Sequence, residues 1–568
     1  MPTPLLLCLA GLIGQVGAAQ TSSTPLVLAP ATTQIVVVDA FVTDKKGRPV
    51  SNLTRQEFEL FEDGQRVEVT GFVPPRVASS VATAASPIEA GATPEGARLK
   101  DSATEPMTVV IYVDRQLLSP GGRVRSLAQA SSLARSHLAL GARVLVVAEE
   151  KGLRPMTTLT TNPDEVQAAL DRILHWATQS PGFMEGRRAM SDIQTTIEGG
   201  AIMGCDCVCS LPQVFSIIRT YAGWRAIDVQ QARDRLASLI DVLVGVSGRK
   251  ALIYVSEGLE QRPGIHLFDQ IGTICPEVWH KEGSTIFSAM QEFETSAVMQ
   301  DVAARANAAR VTFYPIDARG LEAPSMSDIS NNSKKFTPSF MNDRIRDANL
   351  ANQYQLLAEE TGGFAMIRGL DPAAAMRRFG AEALGHYILG FSPGAKADGQ
   401  LHTIGIGLKT KRDVEMRYRR SYLRTETFAR RAQRALSTLF FGLEEDGLGA
   451  TVEIARPAEI TASVPSAIVR IGVPLARLTI ETTSEGKQAR VRVVVALRST
   501  GDAASKPAVV RDKEFSILVA SDGFADGPPH EIVIDVPITA SGYEFSIGLE
   551  DAVSGRSTYV RKLLGPAR

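Results

Sequence analysis

The chain carries no excess charge of either sign. Its 61 basic side chains stand against 62 acidic ones, for a formal net charge of −1. A general binder of nucleic acid or anionic membrane needs a basic face, so neither partner is expected. The local cluster at Lys409–Arg412 and Arg417–Arg420 reads as a solvated strand-and-turn face. Histidines number only seven, and no two form an HxxxH or HExxH pair. Zinc-dependent hydrolysis therefore lacks its ligands. One stretch, 390-GFSPG-394, matches the G-x-S-x-G pattern of a serine-hydrolase elbow. That elbow needs the backbone N–H of the residue after the serine, and here that residue is Pro393, which has none. Long apolar runs are also missing: no segment after the N-terminus holds the ~20 apolar residues of a membrane span.

What is present suits a multidomain globular chain. Apolar residues make up 44 % and charged residues 22 % of 568 positions, enough to bury cores in three or four units of roughly 150 residues. Residues 1–19 hold a short apolar run from Leu5 to Ile13, then small residues ending at Ala18-Ala19. This pattern predicts a signal peptide and an exported protein, secreted or periplasmic, in the cell envelope. Four cysteines follow it: Cys205, Cys207 and Cys209 within 204-GCDCVCS-210, and Cys275. In an oxidising compartment disulfides are the first explanation. Cysteines two apart in an extended chain have Cα atoms about 6.6 Å from each other, near the limit for bridging. Cys275 is therefore expected to pair with one of the three, the other two being joined through a tight turn or left free. A zinc site would need a CxxC pair or a well-placed histidine, and neither is there.

Periodicity divides the chain. Residues 33–73 alternate apolar and polar around Glu62-Asp63-Gly64-Gln65 and predict a small antiparallel β module. Residues 74–106, rich in Ala, Pro, Ser and Thr, read as a flexible linker. From 107 to 393 strands at 107–113, 143–149, 250–256, 311–317, 364–367 and 387–392 alternate with helices. Such alternation predicts a doubly wound, mostly parallel α/β sheet of Rossmann-like type. The segment 176–225 reads as an insertion. A β-hairpin extension at 394–424 and a β-sandwich-like domain at 425–568 complete the chain.

Several of these pieces resemble the bacterial VWFA-related domain proteins, exported proteins built on a von Willebrand factor type A-like domain. They are 42-VTDKKGRPVSNLTRQEFELFEDG-64, 248-GRKALIYVSEGLEQRPG-264, 310-RVTFYPIDARGL-321, 356-LLAEETGGFA-365, 385-GHYILGFSP-393 and 402-HTIGIGLKTKRDVEMRYRRSY-422. The resemblance implies a Rossmann-like domain that binds proteins or other macromolecules and does not catalyse. It also implies a metal-ion-dependent adhesion site after the first strand, usually Asp-x-Ser-x-Ser with a threonine and a second aspartate from later loops. Asp114 takes the first position, but Gln116 and Leu118 stand where serines belong. Ser119 lies one residue later, and Glu257 stands for the later aspartate, with Thr178 and Thr195 as threonine candidates. Two carboxylates with little hydroxyl support make a poor Mg²⁺ site, since that ion demands near-octahedral oxygen ligands. The favoured expectation is no cofactor, with Asp114 capping the following loop on a polar rim; Mg²⁺ or another divalent cation is the alternative.

Three functions compete on these grounds. The first is non-catalytic binding or adhesion to a protein or polysaccharide ligand. The second is a structural scaffold of the cell envelope. The third, a hydrolase, lacks a nucleophile–base pair.

Overall fold

The computed structural model describes residues 35–75, 106–149, 152–176, 181–205, 208–319, 340–367, 372–393, 398–409, 412–424, 427–456, 465–483, 486–500, 508–519, 527–538 and 542–565. The expected signal peptide, nearly all of the expected linker, Cys207 and Thr178 lie outside them.

The N-terminal strands are β1 (Val36–Asp44), β2 (Phe58–Glu62), β3 (Gln65–Val67) and β4 (Gly71–Val73). The wound layer follows. Its strands are β5 (Thr108–Val113), β6 (Arg143–Glu149), β7 (Leu153–Pro155), β8 (Lys250–Ser256) and β9 (Val311–Asp317), in spatial order β7-β6-β5-β8-β9. Only β7 runs antiparallel. Every residue of β5 and β8 is buried, as a sheet covered on both faces requires.

Alternation along the strands sends Val109, Ile111, Val113 and Ile253 to one face. There they meet α1 (Pro120–Leu138), α2 (Pro163–Leu174) and α9 (Pro372–Leu384). Val110, Tyr112, Leu252 and Tyr254 face the other side, against α4 (Leu211–Leu243), α7 (Ser296–Ala308) and α8 (Phe340–Thr361). The 364–367 segment joins this sheet only as a parallel bridge between Met366 and Ile316.

Helices before and after β8 add a cap: α3 (Pro181–Ile202), the first half of α4, α5 (Ile265–Ile274) and α6 (Val278–Glu292). It has its own core, including Ile193, Phe215, Ile218, Phe268 and Ile286. The 33-residue α4 is about 50 Å long at 1.5 Å per residue. Its second half, from Val229 to Leu243, packs on the sheet, while Leu211 to Tyr221 belong to the cap core. One continuous rod therefore carries the cap beyond the strand ends.

Two sequence expectations change at the next strands, β10 (His386–Phe391), β11 (Leu401–Leu408), β12 (Val414–Tyr418) and β13 (Ser421–Leu423). The 387–392 strand does not join the parallel sheet. It lies antiparallel between β1 and β4, in a sheet of order β12-β1-β10-β4. Likewise β11 and β12 do not form a hairpin: β11 pairs with β2 and β13, and β12 with β1. The two strands lie in facing sheets over one core, with Val38, Phe58, Leu60, Tyr387 and Tyr418. Residues 36–73 are thus half of a sandwich whose other half comes from 386–423. Short alternating strands advertise a sheet face but not the partner that covers it.

Two arginines of the basic cluster at 417–420, Arg417 and Arg419, do not belong to a solvated face, while Arg420 is exposed as expected. Arg417 pairs with Glu382, with its side chain 11 % exposed. Arg419 donates to the carbonyls of Asn307 and Val37 at 2.7 Å each. These arginines fasten the sandwich to the α/β layer.

The C-terminal part begins with α10 (Thr427–Phe441), whose Phe440 and Phe441 enter the α/β core. Ser437 Oγ donates to the Val242 carbonyl on α4. Two sheets follow, one of order β15-β16-β20 and one of order β14-β22-β21-β18-β17 with β19 also on β18. They comprise β14 (Glu445–Asp446), β15 (Thr451–Ala455), β16 (Ser466–Val473), β17 (Ile480–Thr483), β18 (Gly486–Ser499), β19 (Ala508–Leu518), β20 (His530–Pro537), β21 (Tyr543–Asp551) and β22 (Ser557–Leu564). Val469, Val491, Val493, Ile534 and Phe545 fill the space between them.

In the N-terminal sandwich His402 lies between two carboxylates. Its Nδ1 is 2.7 Å from Asp63 and its Nε2 3.1 Å from Asp398, and its ring stacks on Tyr422. The hydrogen bond to Asp63, then the one to Asp398, holds the imidazole above its ordinary 6.5 against partial burial. Stability from this charge is complete below the unfolded value and is lost as pH rises through the raised folded value. Both carboxylates are lowered below 3.8, Asp63 chiefly by the bond to His402 and Asp398 chiefly by the Gln400 N–H. Their share is lost on acidification below that range. Asp63→Asn is expected to move the His402 titration, followed by NMR, to lower pH, and to flatten the fall of Tm as pH rises above about 6.5. An unshifted titration would remove the latch.

Candidate functional site

In open α/β sheets ligands bind outside the carboxyl ends of the strands. At that rim each parallel strand ends in a carboxylate: Asp114 after β5, Glu149 at the end of β6, Glu257 after β8 and Asp317 at the end of β9. Each has a partner within the fold.

Asp114 is fully buried. Its backbone N–H continues the ladder to the Val255 carbonyl at 3.0 Å, which turns the side chain toward α4. There Arg235 Nη2 donates to Oδ1 at 3.3 Å and Oδ2 at 3.2 Å, and Tyr254 Oη donates to Oδ2 at 3.1 Å. The Arg235 side chain is 13 % exposed. Burial is the largest single influence and works against its charge, but Asp114 together with Tyr112 and Tyr254 more than offsets it, and the pKa is raised. A guanidinium thus neutralises the carboxylate expected to lead a metal site. Asp114 opens the 3-10 turn at Arg115–Leu117 without a side-chain cap, so the expected loop cap is not made.

Ser119 and Glu257 do come together, in a different role. Ser119 is the N-cap of α1 and accepts from the Gly122 N–H at 3.1 Å. Its hydroxyl donates to Glu257 Oε1, and the Glu257 N–H is held by the Leu117 carbonyl at 2.7 Å. A carboxylate at a helix N-terminus is favoured by the unsatisfied N–H groups and the helix dipole. Gly122 makes the approach possible, because a Cβ there would lie 1.9 Å from Glu257 Oε1 and 2.8 Å from the Ala318 carbonyl. Glu257 therefore sits where the fold supplies positive potential. Thr195, on α3, spends its hydroxyl on the Ser191 carbonyl at 2.9 Å.

The remaining rim carboxylates follow suit. Glu149 accepts from Gln116 Nε2 at 3.1 Å. Asp317 pairs with Arg319 at 2.6 Å, both nearly buried, and Arg319 also reaches Asp347 at 2.7 Å. Among the described residues no group of three or more His, Cys, Asp or Glu side chains is arranged to hold a metal ion.

Sequence reasoning missed the strongest knot at the rim, in the turn after β8. Glu260 is buried and accepts from Tyr221 Oη and Arg225 Nε at 3.0 Å each, and from the Gly264 N–H at 3.1 Å. Burial alone would raise its pKa, but Arg225, then His266, brings it below the ordinary value. Gln261 and Arg262 extend the knot to Asn349 on α8, the Gln261 N–H bonding the Asn349 carbonyl at 3.2 Å and the Arg262 N–H bonding Asn349 Oδ1 at 2.7 Å. The 256–264 segment is therefore a clamp between rim, cap and α8. A signal for Arg235 did exist: it lies three residues after buried Ala232 and four before buried Leu239, on the margin of the apolar stripe.

In the cap, Cys205 and Cys209 form a disulfide with Cα atoms 5.8 Å apart, which is the tight-turn pairing. Cys275 is disulfide-bonded as well. No helix among the described residues is long and apolar enough to cross a membrane.

No family model matches the chain, and no curated protein matches it. Among solved structures it is similar to the pilus adhesin SpaC from Lactobacillus rhamnosus GG in its open conformation. The identity is 10 %, the TM-score 0.24 and the coverage 77 % of this chain. The chain spans 53 % of that adhesin. It is also similar to the three N-terminal domains of the type V pili tip protein Mfa5 from Porphyromonas gingivalis, at 9 % identity and a TM-score of 0.24. That match covers 94 % of this chain and 98 % of the other. Likenesses of this size carry no inference about fold or role.

Breaking one side of a buried ion pair costs about 3–5 kcal/mol because the surviving charge is stranded. Asp114→Ala is expected to lose stability on that scale in urea unfolding, with Arg235→Met restoring part of it in the double variant. With Arg235 on Asp114, neither millimolar Mg²⁺ nor EDTA should move Tm, because an ion bound to the native state would raise it. A clear Mg²⁺-dependent rise would restore the metal reading.

Proposed function

We propose that this chain is an exported, non-catalytic binding protein of the von Willebrand factor type A kind. In this reading it recognises a protein or polysaccharide at the cell envelope through the cap-bearing side of its α/β layer. The observation that carries the reading is the cap. The Arg235–Asp114 contact fixes where α4 passes the end of β5, so residues 211–228 project past the rim, on the side where α/β sheets take ligands.

The projecting part is stiffened by the Glu260 knot and a disulfide, a device of oxidising compartments. It also displays large apolar side chains: Ile202 is 87 % exposed, Met203 89 %, Phe287 64 % and Trp224 60 %. Exposed aromatic and methionine side chains on a rigid support are the composition of recognition surfaces. Rim carboxylates paired within the fold suit binding by shape and apolar contact more than binding through a shared cation. The motif resemblance stated above points the same way.

The test compares wild type with a double variant, Ile202→Ser with Met203→Ser, for binding to purified envelope protein and polysaccharide fractions by surface plasmon resonance. Loss of about tenfold or more in affinity, with Tm unchanged, is expected. Equal binding by both proteins would refute the cap as the recognition element.

A further inference from the structure

The alternation that sends Val36, Val38, Ala40 and Val42 into the sandwich core turns Asp39 and Phe41 the other way, onto the α/β layer. The register of the sheet lines up their neighbours. Phe41 stands between Arg417 on β12 and His386 on β10. The layer contributes Arg249, just before β8, and Arg310, just before β9. Arg249 lies over the Phe41 ring at 5.2 Å and Arg417 at 5.4 Å. Arg310 Nη2 is 3.5 Å from Asp39 Oδ2.

Four guanidiniums, of Arg249, Arg310, Arg417 and Arg419, thus share this joint with the carboxylates of Asp39 and Glu382. Arg378 and Glu415 pair at its margin. Positive charge is crowded there: burial, followed by Arg310, pushes Arg419 down to about 10. Asp39 stays ionised. Burial, its largest influence, would raise its pKa, but Arg310, His386, Arg249 and Arg419 together bring it below 3.8.

His386 is the member of this face that changes charge in mild acid. Its ring is tilted against Phe41 at 5.7 Å, and its Nε2 lies 3.7 Å from Asp39 Oδ1. The side chain is 19 % exposed, so protons reach it. Facing it are Asp39, Arg249, Arg310 and the Glu382 carbonyl. Burial, then Arg249, outweighs Asp39 and that carbonyl, and the imidazole is pushed down to about 4. Neutral, it packs against Phe41. Protonated, it is a further cation among arginines.

We propose that this joint is acid-sensitive: a proton on His386 loosens the sandwich from the α/β layer while each keeps its own core. The inference goes beyond the binding reading and does not depend on it. The imidazole's folded value lies below its ordinary 6.5, so the joint is at full strength above that pH. It weakens as pH falls, by about tenfold per unit, until about pH 4. The chain also has a place to bend, since Gly385 alone separates α9 from β10.

The Arg420 N–H, bonded to the Glu360 carbonyl at 3.0 Å, crosses from sandwich to layer and reports on the joint. The test follows hydrogen exchange of the full chain by mass spectrometry at pH 7.5 and 4.5, corrected for intrinsic rates. Protection at Arg420 should fall on the order of 50-fold at pH 4.5, while Ile111 in the layer and Val38 in the sandwich stay protected. His386→Gln should abolish the fall. Arg249→Met, which leaves the imidazole in place, should reduce it severalfold and move the His386 titration to higher pH. A second buried imidazole, His137 on α1, sits against Phe379 of α9 with ring centroids 4.0 Å apart and is also pushed down to about 4, chiefly by burial. His137→Gln should leave the fall at Arg420 intact. Constant protection at Arg420, its loss together with Ile111 and Val38, or an undiminished fall in His386→Gln or Arg249→Met would each overturn the proposal. A fall abolished by His137→Gln would overturn it as well.

Discussion

The carboxylate of Glu260 is the point on which the upper half of the molecule depends. It is buried, ion-paired to Arg225, bonded to Tyr221 and closed by the Gly264 N–H. Through it the turn after the interior strand β8 grips α4 just where that helix leaves the sheet and enters the cap. Isolated, such a charge would be costly in a low-dielectric site. Paired and fully hydrogen-bonded, it fixes one register between helix and turn. Asn349 and Thr295 then attach α8 and α7 to the same turn. These polar contacts, together with the cap's apolar core, hold the cap over the rim.

The same logic governs the rim below. A wound sheet tends to leave carboxylates and helix N-termini at one edge, which is why such edges attract ions and anions. Here the fold supplies its own counter-groups. Arg235 answers Asp114, Arg319 answers Asp317, and the N-terminus of α1 answers Glu257 through Ser119. Neutralised in this way, the rim is a platform for the cap.

Much of this was legible in the chain. Uniformly apolar runs at 107–113 and 250–256 announced buried parallel strands, and they are neighbours. Asn162 and Pro163 marked the start of α2, where the asparagine does cap the helix. The cysteines pointed to disulfides, with a tight-turn pair within 204–210 as one of the two outcomes left open beside a Cys275 pairing. What could not be read was partnership at long range. The alternation in 387–391 is the same whether its neighbours are parallel or antiparallel, so its place between β1 and β4 was invisible. Arg235 and Arg417 looked like surface charges because their long stems reach buried acids from the margins of apolar stripes. Glu257 was assigned by order along the chain to a cation, although the potential around it, set by a helix end, is positive.

The interleaving of β10 and β12 with β1 and β4 has a consequence for how the chain comes apart. The first and last segments of the sandwich enclose the whole α/β layer between them in sequence, as with Tyr387 accepting from the Leu53 N–H across 334 positions. A single nick between residues 75 and 106 therefore would not release an N-terminal domain; the severed strands would stay bound as a complementing fragment. By the same token, during synthesis these strands must wait for hundreds of later residues before their sheet can close.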